Sequence, residues 1–187
     1  MILLKDQEKS RLEKQVEQGL YGKPELKKEE KNRFLGEFKE RVIRYLKRQQ
    51  VEEPGVYPQV LVAIQDSRAK KLILDRQIDE TRARDYIALA RENDLDFKRV
   101  SSPDFEGEVG LVVVSDQAVD VKKRQVMNRK ENLQNLGIDD RIIKNVGAKL
   151  CKQCWQELED KAPEELINYN KMSFVDKITG TSCVCKQ

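Results

Sequence analysis

The densest apolar run in the chain is Val109–Asp116, VGLVVVSD. In it Val109, Leu111, Val112, Val113 and Val114 are interrupted only by Gly110 and closed by polar Ser115 and Asp116. A short continuous run of this kind predicts a strand covered on both faces, in a sheet packed between helices. Two further strand patterns precede it, Lys71–Asp75 and Phe97–Val100. Between them Glu80–Glu92 places Ala83, Tyr86, Ile87 and Ala90 on one helical face, with Asp79 as its N-cap. A strand, helix, strand order predicts a parallel pair joined by that crossover. Ser101–Glu108 reads as the loop before the valine-rich strand.

Upstream, Lys27–Arg48 predicts one long helix. Phe34, Leu35, Phe38, Val42, Ile43 and Leu46 recur at i, i+1, i+4, i+8, i+9 and i+12 and make a single apolar stripe. The opposite face is charged and reads as solvated. Glu53-Pro54-Gly55 ends this unit, and Tyr57–Gln65 reads as a short helix turning Val60, Leu61 and Ile64 inward. Residues 5–18 are polar with sparse apolar positions, a weakly docked helical arm, and Gly19–Pro24 breaks the chain after it. Downstream, Met127–Asn135 reads as a helical linker, Leu136–Asp140 as a helix stop and new N-cap, and Arg141–Leu150 as an amphipathic helix. A charged helical stretch follows Trp155 and breaks at Ala162-Pro163. The fold expected is α/β, a small sheet of about three to four strands packed with helices. It divides into an N-terminal arm (1–22), an α/β domain (23–127) and a helical, cysteine-containing tail (128–187).

Composition narrows the chemistry. At 187 residues the chain is long enough to bury a real core, and 37% of it is charged. Its net charge of +3 does not by itself imply nucleic acid. The charge is uneven, with 14 basic and 9 acidic groups in residues 1–50 against 12 and 15 in residues 51–127. No apolar run approaches the roughly 18 residues needed to span a membrane, so no membrane partner is expected. The start, MILLKDQEKS, is too short in apolar residues for a signal peptide. With clustered cysteines and no export signal, the expected compartment is reducing cytoplasm. The chain has no histidine. That excludes Ser-His-Asp and Cys-His catalysis and any imidazole ligand.

The segment Gly19–Ile43, GLYGKPELKKEEKNRFLGEFKERVI, together with the strand–helix–strand block up to Val119, resembles the YueI-like family of bacterial proteins. The resemblance rests on the G-x-Y-G-x-P-E-type opening, F-L-G-x-F-x-E-R-V and the final V-G-x-V-V strand, and covers roughly residues 11–127. It implies a compact α/β fold similar to that of the kink-turn RNA-binding ribosomal proteins, and no assigned activity. An RNA partner is therefore a hypothesis. The loop SSPDFEGE argues against it, because Asp104, Glu106 and Glu108 would repel phosphates there. A third reading is an enzyme or small-ligand site at the strand ends, from Asp75-Arg76, Ser101-Ser102 and Ser115-Asp116. No phosphate-binding glycine loop or nucleophile elbow accompanies these residues, and they are ordinary turn and capping types.

The strongest chemical signal lies outside the resemblance. All four cysteines, Cys151, Cys154, Cys183 and Cys185, fall near the C-terminus as C-x2-C-x28-C-x-C. Two pairs of thiolates satisfy a closed tetrahedral zinc site, with Trp155 expected to pack beside it. Residues 151–187 hold few large apolar groups, and a structural metal would stabilise them. The same residues leave open a redox-active Cys151/Cys154 pair, a disulfide, unligated thiols or an iron–sulfur cluster. The reading that results is a non-enzymatic binding module with a zinc-stapled tail and a protein partner. Nothing in the residues fixes its oligomeric state.

Overall fold

A computed structural model of the chain describes residues 28–105, 107–180 and 182–186. The expected arm over residues 1–22 lies outside these, as does Glu106. A four-stranded sheet runs in the order β1-β4-β2-β3, with β1 at Val42–Lys47, β2 at Lys71–Asp75, β3 at Asp96–Val100 and β4 at Val109–Val114. As the sequence suggests, β4 is central and covered on both faces. Leu111 and Val113 face a core built with Leu46, Leu72 and Leu74, whereas Val112 and Val114 face a smaller cluster with Phe34, Leu35 and Val42. β2 and β3 are parallel, and the helix between them, Glu80–Glu92, begins at Asp79, whose carboxylate accepts from the Thr81 and Arg82 amides. That helix turns Ala83, Tyr86 and Ala90 into the larger core. The short helix at Pro58–Ile64 is also present, with Val60, Ala63 and Ile64 buried and Leu61 half-buried.

The long helix over Lys27–Arg48 does not form. A helix, α1, covers Lys28–Arg33 alone, and the chain then takes left-handed backbone at Leu35 (φ 55°) and Gly36 (φ 91°), which stops it. Val42–Lys47 is instead edge strand β1, antiparallel to β4, with a register shift between Val42 and Arg44. The bulge turns Val42 to one face of the sheet and both Ile43 and Leu46 to the other. Buried positions at i, i+1 and i+4 therefore imitate a helical stripe. The preference of β-branched and aromatic residues for strands, in Val42, Ile43 and Tyr45, is the competing signal that prevails.

The strand-end cluster does not assemble either. β4 runs antiparallel to β2, with Lys71 paired to Val114. Ser115-Asp116 therefore lies at the opposite end of the sheet from Asp75-Arg76 and Ser101-Ser102. Asp75 is buried and ion-paired to Arg48 at 2.6 Å, which gives it a structural role.

Beyond β4 the chain builds a third apolar cluster. Helix α5 (Arg129–Asn135) starts at Asn128, and α6 (Asp140–Lys144) starts at Asp139 after Gly137 at φ 69°. Numbering the intervening helices in chain order, α2 is Arg48–Glu52, α3 Pro58–Ile64 and α4 Glu80–Glu92. The helix expected over Arg141–Leu150 stops at Lys144, because Gly147 adopts φ 88° and Lys149–Leu150 becomes strand β5. β5 pairs in parallel with β6, Asn170–Lys171. Helix α7 (Lys152–Lys161) ends before Pro163, as the Ala162-Pro163 break suggests, and α8 covers Phe174–Ile178.

Candidate metal centre

Cys151 stands where β5 meets α7. It is the N-cap residue of α7, and its carbonyl accepts the first helical bond from Trp155 N at 2.9 Å. Cys154, three residues on, lies in the first helical turn, and i, i+3 spacing brings the two side chains to one side. The second pair arrives from the far end of the tail. Cys183 and Val184 are buried against Leu150 and Leu158, so apolar packing seats the C-terminus before any metal is considered. Cys185 follows in a 3-10 turn, Val184–Lys186, and its carbonyl accepts from Arg141 Nη1 at 3.0 Å.

The four sulfurs converge. Cys151 Sγ lies 3.8 Å from Cys185 Sγ, and Cys154 Sγ lies 3.7 Å from Cys183 Sγ. All four are within 4.8 Å of one another. In a regular tetrahedron with metal–sulfur bonds of about 2.3 Å, the sulfur–sulfur edge is about 3.8 Å. The closest pairs already stand at that edge. A disulfide needs sulfurs about 2.05 Å apart, and all four cysteines are free. Both close contacts run across the two sequence pairs, so the group is one four-sulfur cluster rather than a dithiol with two bystanders.

The electrostatics suit a cation. The Cys151 thiol is held down to about 7, first by the Cys154 backbone amide. Burial pushes Cys154 up, and hydrogen bonding of the Cys185 thiol to Cys183 pushes Cys185 up. Sulfurs this close cannot all ionise without a positive charge between them, and a divalent ion supplies it while taking up the lone pairs. Arg141 adds a fixed positive charge at the rim, held by Asp139 at 2.5 Å. Spacing gives no sign of Arg141, because its role depends on α6 folding against the C-terminus. Trp155 is half-buried against the cluster that contains Cys154 and Cys183, with Lys171 Nζ 5.5 Å from its ring centre.

The tail is locked to the α/β body by a buried polar junction. Asn168 bonds both peptide groups of Val56, accepting from its amide and donating to its carbonyl, each at 2.8 Å. Arg129, also buried, donates to the carbonyls of Pro54 and Val56 and pairs with Glu165 at 3.4 Å. Its guanidinium stacks on Tyr57 at 4.6 Å.

Residues 9–125 match the family model described as "Protein of unknown function (DUF1694)". The chain is 28% identical over 123 residues to the uncharacterised protein YueI of Bacillus subtilis (strain 168), covering 66% of this chain and 91% of that one. It superposes on the crystal structure of that YueI protein with a TM-score of 0.53 at 28% identity, over 61% of this chain and 89% of the other. All four cysteines lie beyond the residues that the family model matches.

Proposed function

We propose, from the premise that this chain belongs to the DUF1694 family, that it is a non-enzymatic interaction protein whose C-terminal part is stapled by one structural zinc ion. Cys151, Cys154, Cys183 and Cys185 are the ligands. The convergence of four sulfurs within 4.8 Å carries this reading. Four thiolates around one ion form a closed site with no open position for water or substrate, the arrangement of structural rather than catalytic zinc. Sulfurs this close fit a single ion better than a multi-iron cluster, whose ligands bind separate metal atoms. Zinc also answers a physical need, since it joins the β5–α7 junction to a C-terminus otherwise anchored by the packing of Cys183 and Val184 and by the Arg141–Cys185 hydrogen bond. The tail then stands rigid on the family domain through Asn168 and Arg129, presenting a surface to a protein partner.

Cobalt substitution tests the coordination. Zinc-free protein titrated with Co2+ is expected to develop the intense visible absorption of a tetrahedral tetrathiolate, saturating at one ion per chain. Cys154→Ser is expected to weaken and shift that spectrum. A pale octahedral spectrum, or none, overturns the reading.

A further inference from the structure

Helix α8 is inside out. Its polar residues hold it to the protein while its apolar residues face solvent. Asp176 is buried, forms a reciprocal cap with Ser173, and pairs with Lys149 on β5. Phe174, Val175 and Ile178, at i, i+1 and i+4, share one face and are 76%, 64% and 70% exposed. Burial of three such side chains is the usual reason for a helix to exist, and here nothing in the described chain covers them. The segment is pinned at both ends. Met172 N bonds Leu150 O at 2.9 Å before it, and Cys183 seats in the cysteine cluster after it.

Charge identifies what this face meets. Along the tail the charges segregate: residues 156–166 carry five acidic groups and one basic, whereas residues 169–187 carry three basic (Lys171, Lys177, Lys186) and one acidic, Asp176. That acid is already paired to Lys149. The exposed apolar face thus belongs to the basic half of the tail. An apolar projection in a segment of net positive charge matches an anionic lipid surface, where the apolar side chains enter the acyl boundary and the positive charge of the segment favours the headgroups. A second copy of this chain fits less well. Three side chains fall short of the roughly 800 Å² per partner that a stable dimer buries. Bases of single-stranded nucleic acid would favour stacking aromatics, whereas two of the three side chains are aliphatic.

We infer that Phe174, Val175 and Ile178 on α8 form a peripheral docking knob for anionic lipid surfaces. This departs from the expectation of no membrane partner, which rested on the length of apolar runs. A peripheral contact needs only a short exposed face, and no helix among the described residues is long and apolar enough to cross a membrane. The inference rests on the zinc reading only in that the metal holds the base of the knob.

The test is co-sedimentation of the full chain, with its zinc content measured on the same preparation, using vesicles of phosphatidylcholine alone or mixed with phosphatidylglycerol. The chain is expected to pellet with the mixed vesicles only, and raised salt is expected to release it. The double substitution Phe174→Ser/Ile178→Ser should weaken binding by about ten-fold or more with zinc content unchanged, whereas Ile167→Ser, at another exposed position, should not. Protein that stays in the supernatant with its zinc in place overturns the knob and leaves the metal site standing. Equal binding by the double variant overturns it too, as does a concentration-dependent dimer that the same double substitution abolishes. A preparation without zinc sinks the metal reading separately, and its vesicle binding is scored in the same way.

Discussion

Asn168 reads the Val56 peptide as a neighbouring strand would, accepting from its amide and donating to its carbonyl at 2.8 Å each. The two residues are 112 positions apart, so this one side chain closes the longest buried polar link described between tail and body. Asn168→Ala leaves the buried Val56 amide without a partner and takes from the Val56 carbonyl one of its two donors, Arg129 remaining as the other. It is expected to cost about 1–3 kcal/mol, read as a lower urea midpoint.

Gly55 makes that link geometrically feasible. Its φ is +75°, and a Cβ there would stand 2.5 Å from Asn168 Oδ1 and 2.7 Å from Val146 Cγ1. Gly55→Ala adds left-handed strain to a collision. It is expected to destabilise by about 2 kcal/mol or more, and an unchanged melting temperature would contradict this packing.

Arg129 and Glu165 are both buried and paired at 3.4 Å. Arg129→Met removes the counter-charge of the buried carboxylate and the donor to the Pro54 carbonyl, with an expected loss of about 3–5 kcal/mol. Changing Glu165→Gln in the same chain should recover part of that loss, because the residue left behind is neutral. A double-mutant cycle by chemical denaturation measures the coupling.

Burial pushes the Glu165 carboxyl up from its ordinary value of 4.5, against the opposing pull of Arg129. The folded chain therefore holds this proton more tightly than the unfolded chain. The stability contributed is complete below pH 4.5 and is lost as pH rises through the raised value. The stability difference between wild type and Glu165→Gln is accordingly expected to shift in favour of the variant from pH 5 upward. Denaturation midpoints of the two proteins across pH 5–8 check the sign.

Gly110, the sole interruption of the valine-rich strand, answers a close approach. A Cβ on it would meet Arg48 Cα at 2.7 Å, where the Arg48 amide bonds Glu108 O. Backbone cannot move aside as a flexible side chain can. Gly110→Ala is expected to cost about 1–3 kcal/mol, visible in thermal denaturation.

What the sequence discloses and what it hides follow from range. The central strand at Val109–Val114 and the Asp79-capped helix are legible because their signals lie within a few residues. Strand β1 is misread because its bulge disguises a two-faced strand as a helical stripe, and its partner β4 lies more than sixty residues away. Gly147 is the local sign that the Arg141–Leu150 helix must break, and apolar periodicity alone overlooks it. At the candidate metal centre the grouping of the four cysteines is legible from spacing. The Arg141 contact and the Asn168–Val56 link are not, because each depends on distant segments meeting.

The proposed function stands on the metal. Its most direct test is the zinc content of protein purified without added metal, with thiols titrated before and after a chelator. One zinc per chain is expected, with four thiols that become reactive only when the ion is removed. No metal, with four thiols freely reactive from the start, would contradict it.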